Sequence, residues 1–60
     1  MDKSKFLKIY ANIPLGLRSE IIVVLDDIGP ISWNTAYVEI SNETEIGAKI
    51  LKRLEELEII

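Results

Sequence analysis

Sixty residues are enough for one small domain, and a chain of this length buries only about 60% of the surface that its unfolded form exposes. It contains neither Cys nor His, which excludes disulfides, thiolate metal sites and imidazole ligands as sources of stability. With 48% hydrophobic residues and a net charge of −3, the chain is too apolar to be disordered and too acidic to favour nucleic acid as its main partner.

The first predicted element is a short helix in which apolar residues recur at helical spacing between lysines. Asp2 or Ser4 can cap its start. Pro14 disfavours helical backbone in the residue before it, so the helix should end near Asn12 after about two turns. The apolar positions are Phe6, Ile9, Tyr10 and Ile13.

A β-hairpin is the favoured interpretation of residues 20–40. Four β-branched residues and a Leu at 21–25 are typical of a buried strand, and apolar side chains alternate along residues 31–40. Between these runs, residues 26–30 contain the Asp, Gly and Pro that favour turns.

The same residues also permit two helices. Leu17, Ile21, Val24, Leu25 and Ile28 fit a helical stripe that Gly29 and Pro30 would stop. A second helix could start at Ser32 as its cap and carry Trp33, Ala36, Tyr37 and Ile40 on one face. Periodicity alone does not separate these alternatives.

The last predicted element is an amphipathic helix from about Glu43 to Leu57. Asn42 is its expected N-cap, and the acids of the first turn suit the positive end of the helix dipole. Its apolar stripe consists of Ile46, Ile50, Leu51, Leu54 and Leu57.

Together these elements predict a single α+β domain over residues 1–60, in the order α-β-β-α. Two antiparallel strands, at about 20–25 and 31–40, would lie between an N-terminal and a C-terminal helix. The alternative is an all-α array of four short helices. A lone two-stranded sheet is marginal, so it needs both helices or a second copy of the chain.

We expect a cytoplasmic protein without a membrane segment. The longest apolar run, residues 21–25, is far shorter than the roughly 20 residues of a membrane span. Near the start of the chain there is charge but no apolar stretch typical of a signal peptide.

Catalytic and metal sites are not predicted. Asp26 and Asp27 offer two carboxylates at a turn, without the further oxygen ligands that a hard cation requires. Glu39 could act as a general base, but it has no recognisable nucleophile as partner. We therefore predict a protein that is not an enzyme and has no cofactor.

Self-association, most simply as a dimer, is the predicted function, because the apolar content is high for so small a core. Another protein is the second candidate partner. Trp and Tyr concentrate binding energy at interfaces, and two Ile close the chain. The candidate interface residues are Trp33, Tyr37, Leu54, Leu57, Ile59 and Ile60.

The alternative function is a small regulatory nucleic-acid-binding protein. Basic residues of the first and last helices would form its contact surface, although such residues are usually the solvated face of an amphipathic helix. The candidates are Lys3, Lys5, Lys8, Lys49, Lys52 and Arg53.

Two short segments, each followed by a predicted helix or strand, carry a resemblance. Residues Ile13-Pro14-Leu15-Gly16-Leu17-Arg18 and Ile31-Ser32-Trp33-Asn34, with the capped closing helix, resemble short uncharacterised prokaryotic proteins of unknown function. The resemblance covers about half of the chain, names no family and implies no activity.

Overall fold

A computed structural model describes residues 2–60. It has three helices and one two-stranded antiparallel sheet, so the predicted α+β class is confirmed. The all-α alternative is wrong. In chain order the elements are α1 (Ser4–Asn12), a 3₁₀ turn (Leu15–Leu17), β1 (Ile21–Leu25), β2 (Gly29–Ser32), α2 (Trp33–Ser41) and α3 (Glu45–Glu56).

Helix α1 begins and ends close to where the sequence predicts. The Asp2 carboxylate accepts a hydrogen bond from the Ser4 N–H at 3.1 Å, so it satisfies one of the free donors of the first turn. The helix ends at Asn12, and the following Ile13 has the extended backbone that Pro14 imposes on its predecessor.

The hairpin turn is tighter than predicted. Leu25 and Gly29 are cross-strand partners, so only residues 26–28 form the turn, and the Ile28 N–H donates to the Leu25 carbonyl at 3.2 Å. Gly29 has a φ of +104°, where a side chain would be strained. Pro30 lies on β2, opposite Val24, and is exposed.

The prediction of a strand over residues 31–40 is wrong beyond Ser32. The Ser32 hydroxyl accepts a hydrogen bond from the Thr35 N–H at 3.2 Å, and this cap starts helix α2. Ala36 and Ile40, four residues apart, are then both fully buried on one face of the helix. A strand would place these two residues on one face as well, which is why the apolar pattern fits both structures.

Helix α3 buries the middle of its predicted stripe, Ile50, Leu51 and Leu54, whereas Ile46 and Leu57 at its ends are exposed. Its cap also differs from the prediction. Thr44, and not Asn42, is the N-cap: its hydroxyl accepts from the Gly47 N–H at 2.9 Å. Asn42 instead closes α2, donating from its side-chain amide to the Val38 carbonyl at 2.7 Å. Between the helices Glu43 takes the left-handed backbone, with φ 52°, which lets three residues reverse the chain.

The core lies between the inner face of the hairpin and the three helices. α2 and α3 form the main helix pair, and α3 also packs on β1. No helix within residues 2–60 combines the length and apolar character needed to cross a membrane. The buried hydrophobic residues within residues 2–60 are Phe6, Val23, Leu25, Ile31, Ala36, Ile40, Ile50, Leu51 and Leu54.

Candidate functional site

The outer face of the hairpin is apolar and uncovered. Val24 is 60% exposed and its cross-strand partner Pro30 is also exposed. Ile21, at the start of β1, is 54% exposed. These three residues define what we call the outer hairpin face.

A bulge explains why Ile21 and Val24 are both exposed. Residues in regular strands alternate between faces, which would bury one of two positions three apart. The register shifts between Ile21 and Val23, so Ile22 is an extra residue in β1 and the alternation is displaced by one. As a result, Val23 and Leu25 point into the core while Ile21 and Val24 are exposed.

This face departs from the pattern of ordinary antiparallel sheets. An antiparallel sheet with one solvated face normally alternates between apolar and polar residues, whereas a continuous apolar strand is typical of burial on both faces. Residues 21–25 are all apolar, yet the fold covers only one side of them. The run was predicted to be a fully buried strand, so this exposed face was not expected. The missing alternation of apolar and polar residues is the signal that would have revealed it.

Trp33 and Tyr37, predicted as interface residues, belong to an aromatic cluster with α1. The Trp33 and Phe6 rings lie 5.9 Å apart, and Tyr10 stacks on Tyr37 at 4.4 Å between centroids. The Arg18 guanidinium lies over the Tyr10 ring, 4.5 Å from its centroid. Tyr37 keeps part of its ring exposed, whereas Trp33 is largely used in packing against the core.

The other predicted interface residues separate into two environments. Leu54 is fully buried in the core and has no surface to offer a partner, because its position on α3 faces the inside of the helix pair. Leu57 and Ile59 are exposed beyond the end of α3, and Ile60 packs partly against the core. The structure therefore does not bring the six residues into one surface.

Several of the predicted basic residues already have partners within the fold. The Lys3 ammonium donates to the Ser41 carbonyl at the end of α2 and to the Glu43 carboxylate, at 3.0 and 3.2 Å. Lys49 forms an ion pair with Asp27 at 2.9 Å. Lys5 lines a shallow depression together with Asp2 and Glu55. Acids thus accompany the basic residues on both helices, and the nucleic-acid interpretation stays a prediction.

A second surface feature is an open cleft of about 370 Å³ between the hairpin and α3. It brings Asp26 and Asp27 of the turn together with Lys49, Lys52 and Arg53, two groups that the sequence analysis treated separately. The remaining lining residues are Val24, Leu25 and Glu56.

The ion pair at this cleft changes the titration of both partners. The hydrogen bond from Lys49 lowers the pKa of the Asp27 carboxyl below its ordinary value, and the Asp27 carboxylate raises the pKa of Lys49. Both side chains are more than half exposed, so solvent screens the pair and its stabilising effect is small.

The acids considered for chemistry have structural contacts. The Glu39 carboxylate accepts a hydrogen bond at 2.7 Å from Thr44, the cap of α3. Across residues 2–60, no group of three or more Asp or Glu side chains lies close enough together to hold a metal ion.

Comparison with known proteins adds no functional assignment. No protein-family model, curated protein or solved structure matches the chain, in agreement with a resemblance that names no family.

Proposed function

We propose that this protein is a small interaction module that forms a homodimer, with the outer hairpin face of one copy packed against the same face of a second copy. The supporting observation is β1 itself, which is apolar on both sides while the fold covers one. Covering the second side would remove Ile21, Val24 and Pro30 from water, which is favourable by about 25 cal/mol per Å² of apolar surface.

A second copy suits this face better than a charged partner does. The three side chains carry no charge, so the face is complementary to itself, as an interface with two-fold symmetry requires. Two sheets packed face to face also form a common and stable layer arrangement. The small core gives dimerisation an energetic role, since short chains often need association to be stable.

The test is the oligomeric state of wild type and of Ile21→Lys, measured by analytical ultracentrifugation over a range of concentrations. Wild type should sediment as a dimer. Ile21→Lys should be monomeric, because dimerisation would bury an ammonium group without a partner. The milder Ile21→Thr keeps the β-branched shape that strands favour and should weaken the dimer without disturbing the hairpin.

Val38→Lys is the matched control, because Val38 is 51% exposed but lies on α2. It should remain a dimer. A wild type that stays monomeric at high micromolar concentration would refute the proposal. So would a dimer that resists Ile21→Lys and dissociates with Val38→Lys, since this would place the interface on α2.

A further inference from the structure

The cleft between the hairpin and α3 lies beside the last two residues of β1. Val24 and Leu25 line it together with residues of the turn and of α3, and no residue of β2 lines it. The cleft is therefore on the side of β1 that faces away from β2. β2 is the only strand partner that β1 has within residues 2–60, so this edge is without a second one.

The two walls of the cleft have opposite charge. Asp26 and Asp27 form the hairpin wall. Three cations of α3, Lys49, Lys52 and Arg53, are spaced so that they lie along one face of the helix and form the other wall, with Glu56 at its end. Asp27 pairs with Lys49, whereas within the described chain neither Lys52 nor Arg53 has a carboxylate within ion-pair distance.

We infer that this cleft binds an extended acidic peptide of a partner protein, which adds to β1 as a third strand. The free strand edge supplies backbone donors and acceptors along the peptide, as in other cases of strand addition. Lys52 and Arg53 supply positive charge on the helix side, where they can pair with carboxylates of the peptide. The volume of about 370 Å³ lies in the usual range of ligand sites.

A strand explains both features of the cleft, whereas a small anion explains only one. Phosphate could meet Lys52 and Arg53, but it would leave the edge of β1 unpaired. A peptide can direct its acidic side chains towards the cations and its backbone towards the strand.

The experiment follows the backbone amides of ¹⁵N-labelled protein by NMR during titration with the peptide acetyl-Val-Glu-Val-Glu-Val-amide. Binding should shift the amides of residues 23–25 and of residues 52–53 together. The double variant Lys52→Glu/Arg53→Glu should weaken the affinity by about tenfold or more, because two charge-assisted contacts become repulsive. Lys8→Glu, the same change of charge on α1, should leave the affinity unaltered.

Three results would overturn the inference. One is that the lysine counterpart, acetyl-Val-Lys-Val-Lys-Val-amide, binds equally well. Another is that inorganic phosphate reproduces the shifts at residues 52–53 while no peptide moves residues 23–25, which would indicate an anion site. The third is that no amide shifts at millimolar peptide. Circular dichroism of each variant verifies that it is folded.

This inference can be tested separately from the proposed dimer, although Val24 belongs to the outer hairpin face and also lines the cleft. Ile21 does not line the cleft, so Ile21→Lys should bind the peptide at least as tightly as wild type even when it is monomeric. A monomeric wild type would therefore refute the dimer without refuting the peptide site. An absence of peptide binding would refute the peptide site without refuting the dimer.

Discussion

Gly47 lies in the first turn of α3, directly against the backbone of α2. A Cβ atom built at this position would overlap the Glu39 carbonyl group and come within 2.9 Å of the Ile40 nitrogen. Backbone atoms cannot move aside as the end of a flexible side chain can. Helix propensity alone makes Gly47 unfavourable in a helix, whereas in the fold its missing side chain lets two helices approach closely.

We expect Gly47→Ala to lower the free energy of unfolding by about 1–3 kcal/mol, the usual cost of overpacking. This loss of stability would be opposite in sign to the effect of helix propensity, which favours Ala over Gly by about 1 kcal/mol. Urea unfolding followed by circular dichroism measures the change.

Gly16→Ala is the matched control, because nothing lies within 4 Å of its added Cβ and the backbone there is compatible with Ala. Its free energy of unfolding should stay constant or rise by about 0.4–1 kcal/mol through the unfolded state. If Gly47→Ala is as stable as wild type, then the backbones of α2 and α3 must be far enough apart to accommodate a Cβ atom at position 47.

At the scale of elements, periodicity predicted the helices at both ends and the first strand. The second strand was predicted over residues 31–40, and only Ile31 and Ser32 of that range belong to β2. Residues 31–40 fit strand and helix patterns equally, because Ala36 and Ile40 share a face in both. The choice depends on contacts that a pattern does not contain. The backbone N–H of Trp33 still donates to the Glu20 carbonyl beside β1, but the Ser32 hydroxyl caps α2, so the chain enters the helix after four residues of β2.

For the candidate sites, too, the sequence predicted individual residues but not the contacts between them. Aromatic content drew attention to Trp33 and Tyr37, whose rings contact Phe6 and Tyr10 of α1, and these contacts were not predicted from the sequence. The outer hairpin face depends on a bulge at Ile22, and a bulge depends on the pairing register with β2. The cleft joins residues more than 20 positions apart, which only the fold brings together.

The ion pair between Asp27 and Lys49 connects the hairpin turn to α3 and should make stability depend on pH. The pKa of Asp27 is lowered in the fold, so its contribution is present above the ordinary value of 3.8 and is lost as the pH falls through the folded pKa. The pKa of Lys49 is raised, so its contribution is present below the ordinary value of 10.5 and is lost as the pH rises through the folded pKa.

Asp27→Asn should therefore be slightly less stable than wild type at neutral pH, and the difference should vanish in acid well below pH 3.8. Urea unfolding at both pH values, at low salt, measures it. In a Lys49→Met background, Asp27→Asn should produce a smaller pH-dependent difference, because only the backbone hydrogen bond then lowers the pKa of Asp27. A difference that persists in acid would show that the Asp27 side chain stabilises the turn by some means other than its charge.

On the scale of the whole molecule, the number of exposed large hydrophobic residues is similar to the number of buried ones. Among residues 2–60, nine hydrophobic residues are buried, and ten large hydrophobic ones are more than one-third exposed. A 60-residue chain has limited means to lower that exposure by itself, so association with a second copy would stabilise the folded chain as well as form a complex.

If the dimer forms, the melting temperature should rise with protein concentration, because association binds only the folded chain. Ile21→Lys should melt at a lower temperature that does not depend on concentration. Differential scanning calorimetry over a hundredfold range of concentration measures both. A wild-type melting temperature that stays constant over this range would contradict a dimer that dissociates on unfolding.

Pro30 makes β2 the less suitable of the two sheet edges for the addition of a further strand. A proline has no N–H to donate, and strand β2, which contains it, has only four residues before α2 begins. Copies of this chain therefore cannot continue the sheet past β2. The hairpin can accept a strand on the β1 side, while β2 prevents the repeated addition of copies that builds fibres.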